Sequence, residues 1–487
     1  MNYPKKILHW IKNEEVESSS KNFFPKYNPI TGEVLAKVTR GNSDDVKKAI
    51  EIAEDAFDNW SSIPVIEKAE ILREAVLLIR DRKEELAEIV ALESGKPKRD
   101  AIGEVEAAIE CGFFFASEGR RYFGQVLTSA QQNRHVEMIR QPIGVGALIT
   151  PFNNPAANVA WKIFPALLCG NTVILKSHEY TPYIAIWYAK ILKEAGLPLG
   201  VVSILQGLGA EVGGPLVEDK RVKFVSFTGS LATGQYILKA TADRLAKVSI
   251  EAGGKNPFVV CDDANLKRAV DMAISGSFVD AGQRCAATSR IIVFGKVYDE
   301  FKKLFLEKVK KLKIGTSNND DFGAIISEKR LNEILEVVNG AIKRGGKLLF
   351  GGHRLLDGSH KDGYFMAPTI LENVSPNDEI SYKELFGPVV ILYRVKDFNE
   401  AVELANKSDF KLTGAIHTKS IHRTREFIER YRAGVVRVNG PTYGSEPHMP
   451  FGGIGLSGNG WREPGEKALD FYSEWKQVSI DHDPNNI

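Results

Sequence analysis

Two consecutive runs of short apolar segments alternating with helical segments constrain the fold of this 487-residue chain most strongly. The first run begins near residue 142 and includes Gly144–Thr150, Thr172–Leu175 and Val222–Phe227. The second extends from about residue 257 to about residue 450. Short apolar strands separated by helices predict parallel sheets covered by helices on both faces. We therefore expect an α/β protein with two doubly wound α/β domains and a cleft between them.

Three further segments lie outside this alternation. Residues from about 43 to 120 have the pattern of long amphipathic helices, the first with Ser43 as its expected N-cap. Residues 133–142 and the last fifteen or so, from Ala468 onward, are strand-like and belong to no βα unit. We expect those two segments to pair with each other or with another subunit.

Charge and cysteine content exclude several functional classes. Sixty-four basic residues against 62 acidic ones give a net charge of +2, which does not indicate nucleic-acid binding. No apolar run approaches the roughly 20 residues of a membrane span, and the charged N-terminus does not resemble a signal peptide. The four cysteines are widely spaced, without a disulfide framework or a zinc-binding pattern. We expect a cytoplasmic protein that binds no membrane and no metal.

Three polar residues have the chemistry of a covalent enzyme. Cys285, in Gly-Gln-Arg-Cys, follows a helix, where Arg284 and backbone N–H groups are expected to stabilise its thiolate. Glu251 lies in a glycine-rich turn, where a carboxylate of raised pKa acts as a general base. Asn153 follows an apolar strand and is able to donate to a developing oxyanion. Taken singly, the three also fit an inert thiol, a surface acid and a turn residue.

Other signals indicate a nucleotide, and all of them follow apolar strands. They are Gln206–Gly213 with Gly209, Phe227–Ser230 with Gly229, and Lys176 with Glu179. The first departs from the G-x-G-x-x-G fingerprint by one residue. Ser230 is expected to cap a helix whose N–H groups face a phosphate. Lys176 and Glu179 occupy the position at which a sheet crevice binds a ribose hydroxyl.

Together these motifs resemble the aldehyde dehydrogenase superfamily in order and spacing, from about residue 25 to about residue 480. They are Pro-Phe-Asn-Asn-Pro, Lys-Ser-His-Glu, Phe-Thr-Gly-Ser, Glu-Ala-Gly-Gly-Lys, Gly-Gln-Arg-Cys, Glu-Leu-Phe-Gly-Pro and Pro-Phe-Gly-Gly. The resemblance implies an NAD(P)-dependent oxidoreductase with a Rossmann-like coenzyme domain. It also implies a catalytic domain and a β-strand oligomerisation element, hence a homodimer or homotetramer. The expected boundaries are 1–123 with 143–254 for the coenzyme domain, 255–455 for the catalytic domain, and 124–142 with 456–487 for the oligomerisation element.

The resemblance also implies a role for each matching residue. Cys285 is the nucleophile that attacks the aldehyde, and its backbone N–H and the Asn153 amide bind the oxyanion. After hydride transfer leaves a thioester, Glu251 activates the hydrolytic water, and Glu463 matches an acid that relays protons. The implied coenzyme-binding residues are Lys176, Glu179, Gly209, Phe227, Gly229, Ser230, Glu384 and Phe386.

Coenzyme and substrate follow from a few positions. Glu179 repels a 2′-phosphate, so NAD is expected over NADP, with use of both coenzymes left open. Arg284 either anchors an anionic semialdehyde or forms a structural salt bridge. Trp161 stands where succinate-semialdehyde enzymes often carry arginine, and Phe451 is expected to line the same substrate site. The segments around Cys285 and residues 439–453 resemble the α-ketoglutarate-semialdehyde (2,5-dioxopentanoate) dehydrogenase branch.

Four positions depart from the family pattern. Ala252 replaces leucine, Phe152 replaces tryptophan, Gly455 stands where lysine is common, and Trp461 is a one-residue insertion that makes the assignment of the following acid less direct. Three other interpretations remain open. They are a CoA-acylating relative, a catalytically silent structural relative, and a dinucleotide-binding reductase of another design that does not need Cys285.

Overall fold

The computed structural model describes residues 3–484. Its strands are β1 (Lys6–Ile7), β2 (His9–Ile11), β3 (Glu14–Val16), β4 (Phe23–Tyr27), β5 (Val34–Thr39), β6 (Gln125–Leu127), β7 (Arg134–Pro142), β8 (Val145–Ile149), β9 (Thr172–Lys176), β10 (Val202–Leu205), β11 (Phe224–Thr228), β12 (Lys247–Glu251), β13 (Asn256–Val260), β14 (Thr288–Phe294), β15 (Lys347–Phe350), β16 (Thr369–Glu372), β17 (Val389–Val395), β18 (Phe410–Lys411), β19 (Thr413–His417), β20 (Val435–Val438), β21 (Ile454–Gly455) and β22 (Ser473–Asp481).

The α-helices are α1 (Ser43–Ser62), α2 (Val65–Asp81), α3 (Lys83–Ser94), α4 (Lys98–Glu118), α5 (Pro155–Leu168), α6 (Pro182–Glu194), α7 (Gly214–Glu218), α8 (Leu231–Thr241), α9 (Leu266–Phe278), α10 (Tyr298–Val309), α11 (Glu328–Lys343), α12 (Glu379–Tyr382), α13 (Phe398–Asn406), α14 (Ile421–Arg430) and α15 (Ala468–Tyr472). The segment Gly209–Gly213, expected to open a helix, forms one π-helical turn directly before α7.

Two seven-stranded sheets confirm the predicted fold class. The N-terminal sheet has the order β12-β11-β8-β9-β10-β2-β3, with all pairs parallel from β12 to β10. The C-terminal sheet has the order β15-β16-β17-β14-β13-β19-β20 and is parallel except for β15 at its edge. In the N-terminal sheet the direction of winding reverses beside β8. Such a reversal opens a crevice at the carboxyl ends of the strands.

A third sheet of three strands has the order β22-β7-β6. Here β7 and β22 pair antiparallel over their whole length, from Arg134 opposite Asp481 to Pro142 opposite Ser473. The prediction that these segments pair with each other is confirmed. The prediction that the segment from Ala468 is entirely strand is wrong, because residues 468–472 form helix α15, whose apolar side chains are buried. Val126 and Ile480 remain 75% and 48% exposed on this sheet.

The start of α1 differs from expectation by one residue. Asn42, not Ser43, is the N-cap, and its side chain accepts from the backbone N–H groups of Asp44 and Asp45. Asp45 accepts in return from the Asn42 N–H, which completes a capping box. Serine and asparagine cap helices equally well, so propensity does not separate the two.

Strands β1 to β5 are absent from our sequence-based expectations. Strands β2 and β3 pair antiparallel and extend the N-terminal sheet beyond β10. The two residues that join them, Lys12 and Asn13, both have positive φ (52° and 58°), as a type I′ hairpin requires. The sequence signal for this hairpin was the asparagine at the turn. The two flanking strands are three residues each, too short for an alternation of polar and apolar residues to be recognised.

Helices cover both sheets with apolar side chains. One large buried cluster packs α2 to α6 against the N-terminal sheet, a second surrounds the C-terminal sheet, and a third lies between α1 and the N-terminal sheet. Within residues 3–484 no helix is long and apolar enough to cross a membrane. The domain boundaries given above remain predictions, and residues 1–2 and 485–487 of those ranges lie outside the described part.

Candidate active site

The candidate site lies where the carboxyl ends of one sheet meet the amino ends of the other. In the N-terminal sheet, β8 leads to Asn153, β9 ends at Lys176, and β12 ends at Glu251. In the C-terminal sheet, Cys285 precedes β14 and Glu384 precedes β17. Hydrogen bonds close the junction: Gly254 N–H donates to Glu384 Oε1 at 2.9 Å, and Asn256 Nδ2 donates to the Cys285 carbonyl at 2.8 Å. The two α/β sheets therefore contribute to one site.

Glu251 is a buried acid whose carboxylate oxygens find no hydrogen-bond partner of normal geometry among the described residues. Burial raises the pKa of Glu251 well above its usual range, and the negative charge of Glu463 adds to this effect. The expected raised pKa is thus present. A buried carboxylate of raised pKa has the properties of a proton acceptor.

Cys285 is the one partly exposed cysteine of the four, while Cys111, Cys169 and Cys261 are buried. Burial of its sulfur raises the pKa of Cys285 to about 12, and the charges of Glu384 and Glu251 contribute to this rise. Arg284 lowers this pKa only slightly. Our expectation that the thiolate is stabilised here is therefore wrong in its net direction, because burial and two acids outweigh one cation. The thiol and Glu251 nevertheless lie close enough to influence each other electrostatically, as the prediction requires.

Asn153 is almost completely buried directly after β8, beside the start of α5. Its backbone carbonyl accepts a hydrogen bond of 2.8 Å from Lys96 Nζ. No hydrogen bond of its side-chain amide is found within residues 3–484, so this donor is available for another acceptor. Phe152, beside it, packs edge-on against the rings of His178, Tyr180 and Phe386. The replacement of tryptophan at this position is thus accommodated in an aromatic cluster.

Lys176 and Glu179 lie together at the end of β9. Lys176 Nζ is buried, donates to the Ser177 carbonyl at 2.7 Å and lies 3.5 Å from Glu179 Oε2. His178 Nδ1 lies 3.5 Å from the same oxygen. Although burial works in the opposite direction, His178 and Lys176 lower the pKa of Glu179, so its carboxylate is charged at neutral pH.

The end of β11 leads into helix α8, as expected. Ser230 is the N-cap of α8 and accepts from the Thr233 N–H. A Cβ added at Gly229 would lie 2.6 Å from the ring of Phe227, whereas one added at Gly209 would meet no atom within 4 Å. The open space beside Gly209 and the uncovered N-terminus of α8 suit a dinucleotide, as do Lys176 and Glu179.

Glu384 and Phe386 lie on the opposite side of the crevice. Burial raises the pKa of Glu384 to about 7, although the hydrogen bond from Gly254 N–H opposes this rise. Phe386 has a positive φ of 57°, and its ring centroid is 5.6 Å from that of Phe152. A non-glycine residue in this conformation is strained, which points to a functional constraint.

The residues expected to bind substrate form two groups. Trp161 and Phe451 face each other with ring centroids 6.0 Å apart. Arg284 Nε donates to Asp280 Oδ2 at 2.5 Å, and its guanidinium lies 4.5 Å from the centre of the Tyr443 ring. The salt-bridge interpretation of Arg284 is therefore present in the structure, while its terminal nitrogens remain able to meet an anion.

A fully buried ion pair was missed from the sequence, although one member, Glu463, was assigned. Lys162 Nζ donates to Glu463 Oε2 and to Ser226 Oγ, both at 2.8 Å. Glu463 Oε1 accepts from Ser226 Oγ and Tyr472 OH at 2.8 and 2.9 Å. The available signal was a single lysine in the otherwise apolar helix α5. The two members of this pair have opposite effects on the pKa of Glu251: Glu463 raises it and Lys162 lowers it.

The remaining departures from the family pattern have local reasons. Gly455 has a φ of 61°, and a Cβ there would lie 2.8 Å from the Asp409 carbonyl, so this backbone does not admit a lysine. Ala252 is buried in the third apolar cluster. Trp461 packs on Phe471, with ring centroids 5.3 Å apart, and beneath the ammonium of Lys247.

Comparisons with known proteins show which family the chain is similar to. A sequence profile described as "Aldehyde dehydrogenase family" matches residues 16–478. An alpha-ketoglutarate semialdehyde dehydrogenase of Haloferax volcanii is 38% identical, over 96% of this chain and 98% of that protein. A D-glyceraldehyde dehydrogenase (NADP(+)) of Picrophilus torridus is 36% identical, over 98% and 97%. The crystal structure of a betaine aldehyde dehydrogenase from Staphylococcus aureus with NAD+ superimposes with a TM-score of 0.95 at 32% identity, covering 98% of this chain and 95% of that one.

Proposed function

The chain belongs to the aldehyde dehydrogenase family, and from that premise we propose that it oxidises an aldehyde to a carboxylic acid through a thioester on Cys285. As an NAD(P)-dependent enzyme it converts aldehyde, water and NAD(P)+ into acid, NAD(P)H and a proton. The single observation that carries the proposal is the convergence of a buried Glu251 of raised pKa and a partly exposed Cys285 between the two α/β sheets.

The first half of the proposed reaction forms the covalent intermediate. The Cys285 sulfur adds to the aldehyde carbon, and the carbonyl oxygen becomes an oxyanion. The Asn153 amide and the Cys285 backbone N–H donate to this oxygen, an interaction that strengthens as the negative charge develops. Because burial raises the pKa of the thiol, a base must receive its proton, and Glu251 is the nearby acid of raised pKa.

The second half hydrolyses the thioester. When bound, the nicotinamide coenzyme supplies the acceptor for the hydride that leaves the substrate carbon. Glu251, which has by then released the thiol proton, takes a proton from water as the water attacks the thioester. The C–S bond breaks, and Glu251 returns this proton to the departing Cys285 sulfur. The buried pair Lys162–Glu463 lies behind Glu251 and is suited to pass the proton onward. Because Glu251 is present, hydrolysis is favoured over transfer to CoA, and the acid should form without added CoA.

The coenzyme is held, in this proposal, along the carboxyl edge of the N-terminal sheet. Lys176 and Glu179 bind the adenosine ribose, Gly209 and Phe227–Ser230 line the pyrophosphate path, and Glu384 with Phe386 position the nicotinamide ribose and ring. Support comes from the open N-terminus of α8 and from the burial of Lys176 beside Glu179. The domain boundaries stated above, and a dimer or tetramer formed through β6, β7 and β22, complete the proposal.

For the substrate we propose a small anionic semialdehyde such as 2,5-dioxopentanoate. Relatives bearing that activity in their names are 38% identical over nearly the whole chain. Arg284 adjoins the thiol and supplies a cation, while Trp161 and Phe451 form an aromatic wall. Asp280 neutralises part of the charge of Arg284, so the attraction depends on its terminal nitrogens.

A panel of aldehydes tests this substrate assignment. We expect kcat/KM for 2,5-dioxopentanoate to exceed that for pentanal, measured by reduction of NAD without CoA. Arg284→Gln should lower kcat/KM for the anionic aldehyde by roughly tenfold or more, the value of a charged hydrogen bond. Pentanal serves as the internal control, because misplacement of Cys285 would slow both aldehydes equally. A preference for betaine aldehyde, a cation, would contradict the assignment.

Coenzyme preference provides a second test. Since Glu179 is charged and held at the ribose position, we expect NAD to give the higher kcat/KM. Glu179→Gln should shift the NADP/NAD ratio of kcat/KM by at least about tenfold toward NADP, because it removes the repulsion of a 2′-phosphate. Glu300→Gln, at an exposed acid of α10, removes the same charge and should leave the ratio unchanged. A strong NADP preference in the unmodified enzyme would overturn the role of Glu179.

A further inference from the structure

Four charged side chains form a cluster behind the proposed oxyanion site. They are Lys96, Glu104, Asp280 and Arg284, whose side chains are 5%, 4%, 4% and 20% exposed. We call this set the positioning cluster. It joins three segments that are distant in sequence: the start of α4, the residues between β8 and α5, and the loop that carries Cys285. Burial of a charged group is costly unless an opposite charge lies beside it. Each of these four groups has such a partner within the cluster.

Lys96 is the centre of the cluster. Its ammonium donates to the Asn153 carbonyl and to Glu104 Oε2, both at 2.8 Å. It also lies 3.5 Å from Asp280 Oδ1. One buried cation thus contacts the residue proposed as oxyanion donor and the loop of the proposed nucleophile at the same time.

Glu104 holds the residues that follow Asn153. Its Oε1 accepts from the backbone N–H groups of Ala156 and Ala157, at 2.7 and 3.3 Å. N–H groups in the first turn of a helix have no acceptor within the helix, and the side chain of the N-cap residue Asn154 does not bind those of α5. A distant glutamate therefore performs the capping function and ties α5 to α4.

Asp280 restrains the loop before Cys285. Asp280, Ala281 and Gly282 have positive φ values of 54°, 54° and 67°, a left-handed run that is unfavourable for the first two. A Cβ at Gly282 would lie 2.3 Å from the Gly387 carbonyl, so the loop packs directly against the segment that follows Phe386. Both carboxylate oxygens of Asp280 face cations, Lys96 on one side and Arg284 on the other. Such strain persists only where surrounding contacts enforce it.

Three members of the cluster, Lys96, Glu104 and Asp280, lie away from the proposed substrate contacts, whereas Arg284 faces the substrate. Lys96 and Asp280 line a narrow cavity of about 10 Å³ together with Ser94, Phe152, Asn153 and Gln283. The side chains of Lys96, Glu104 and Asp280 are 5%, 4% and 4% exposed, so these charges are shielded from a bound aldehyde. An effect of Lys96, Glu104 or Asp280 on catalysis therefore has to act through the placement of Asn153 and Cys285.

We propose that the positioning cluster sets the distance between the Asn153 amide and the Cys285 sulfur, and that Lys96, Glu104 and Asp280 are positioning residues for the oxyanion. The inference rests on the proposed roles of Cys285 and Asn153. Oxyanion stabilisation requires donors aimed at one point, and a displacement of about 1 Å costs up to roughly 100-fold in rate. The loop that carries Cys285 follows the positive-φ residues 280–282 and is not held by a regular element. Ion pairs that join it to two other segments make it rigid.

Single and double variants test the proposal. Asp280→Asn keeps the shape and removes the charge, and we expect kcat to fall roughly 10- to 100-fold while the Kd for NAD stays within about twofold. Glu104→Gln should act in the same direction and serves if Asp280→Asn does not fold. The pre-steady-state rate of NADH formation should fall with kcat, because the acylation half of the reaction uses the oxyanion site. Lys98→Met, at the exposed end of the same helix α4, is the matched control.

Coupling distinguishes a shared positioning role from separate losses of stability. If the residues act as a unit, the double variant Lys96→Met/Asp280→Asn loses no more than about threefold beyond the worse single variant. Losses in kcat that multiply, or an Asp280→Asn enzyme with unchanged kcat and a lower Tm, would overturn the proposal. Cys285→Ala separates this result from failure of the proposed function: if it remains active, the covalent mechanism itself is wrong. If it is inactive while Asp280→Asn is fully active, only the positioning role falls.

Discussion

Replacing Cys285 with alanine is expected to lower kcat for aldehyde oxidation by roughly 10⁴-fold or more, because the covalent route is lost entirely. The Kd for NAD should stay within about twofold, since the coenzyme residues lie on other strands. The measurements are steady-state kinetics with NAD and coenzyme binding by fluorescence. Retention of a tenth of the activity would indicate direct hydride transfer from a hydrated aldehyde, as in a reductase of different design.

Cys261→Ala is the matched control for this experiment. Cys261 directly follows β13 of the C-terminal sheet, the sheet whose strand β14 follows Cys285. Cys261 is completely buried, whereas Cys285 is partly exposed. Its loss removes a small apolar group and lowers the free energy of unfolding modestly, but should leave kcat within about twofold. An equal loss of activity in both variants would mean that cysteine replacement acts through stability and not through the nucleophile.

Replacing Glu251 with glutamine should separate the two halves of the reaction. We expect a burst of NADH nearly equal to the number of active sites, followed by turnover slowed by roughly 10²- to 10⁴-fold, the range of general-base catalysis. The acyl group should then be found on Cys285 by mass spectrometry. If the burst is slowed as much as turnover, loss of the base for the thiol proton, and not loss of the base for water, limits the variant. Glu372→Gln, at the opposite end of the C-terminal sheet, is the control.

The pH dependence of the unmodified enzyme follows from the same residue. Because Glu251 must be ionised to accept a proton, and burial raises its pKa well above the usual value, kcat should rise with pH through that raised pKa. Glu251→Gln should lose this rise. The folded state holds the Glu251 proton more tightly than the unfolded state, so ionisation at higher pH destabilises the fold. The glutamine variant should therefore have a higher Tm than the unmodified enzyme at pH 8, and a lower one would contradict burial of an unpaired charge.

Local sequence signals were sufficient for the fold class and for most core elements. Strands β9 and β11 were recognised because they are buried on both faces of the sheet, and such strands have a nearly continuous apolar sequence. Short edge strands such as β2 and β3 have no such apolar sequence and were not predicted. Helix α15 was not predicted either, because its aromatic-rich sequence is also typical of a strand.

What the sequence by itself determined is the type of each chemical group and the strand end or loop on which it lies. Burial patterns and motif spacing are local properties of the chain, and they placed a thiol, an acid and an amide beside strands of two sheets. Only the tertiary structure decided how these groups affect one another. The raised pKa of the thiol, the pairing of Lys162 with Glu463 and the contacts of Lys96 with Asn153 and Asp280 all join residues from separate elements. Desolvation and electrostatic energy depend on distances in space and on exclusion of water. Neither can be read from the order of residues along the chain, because both depend on which distant segments pack together.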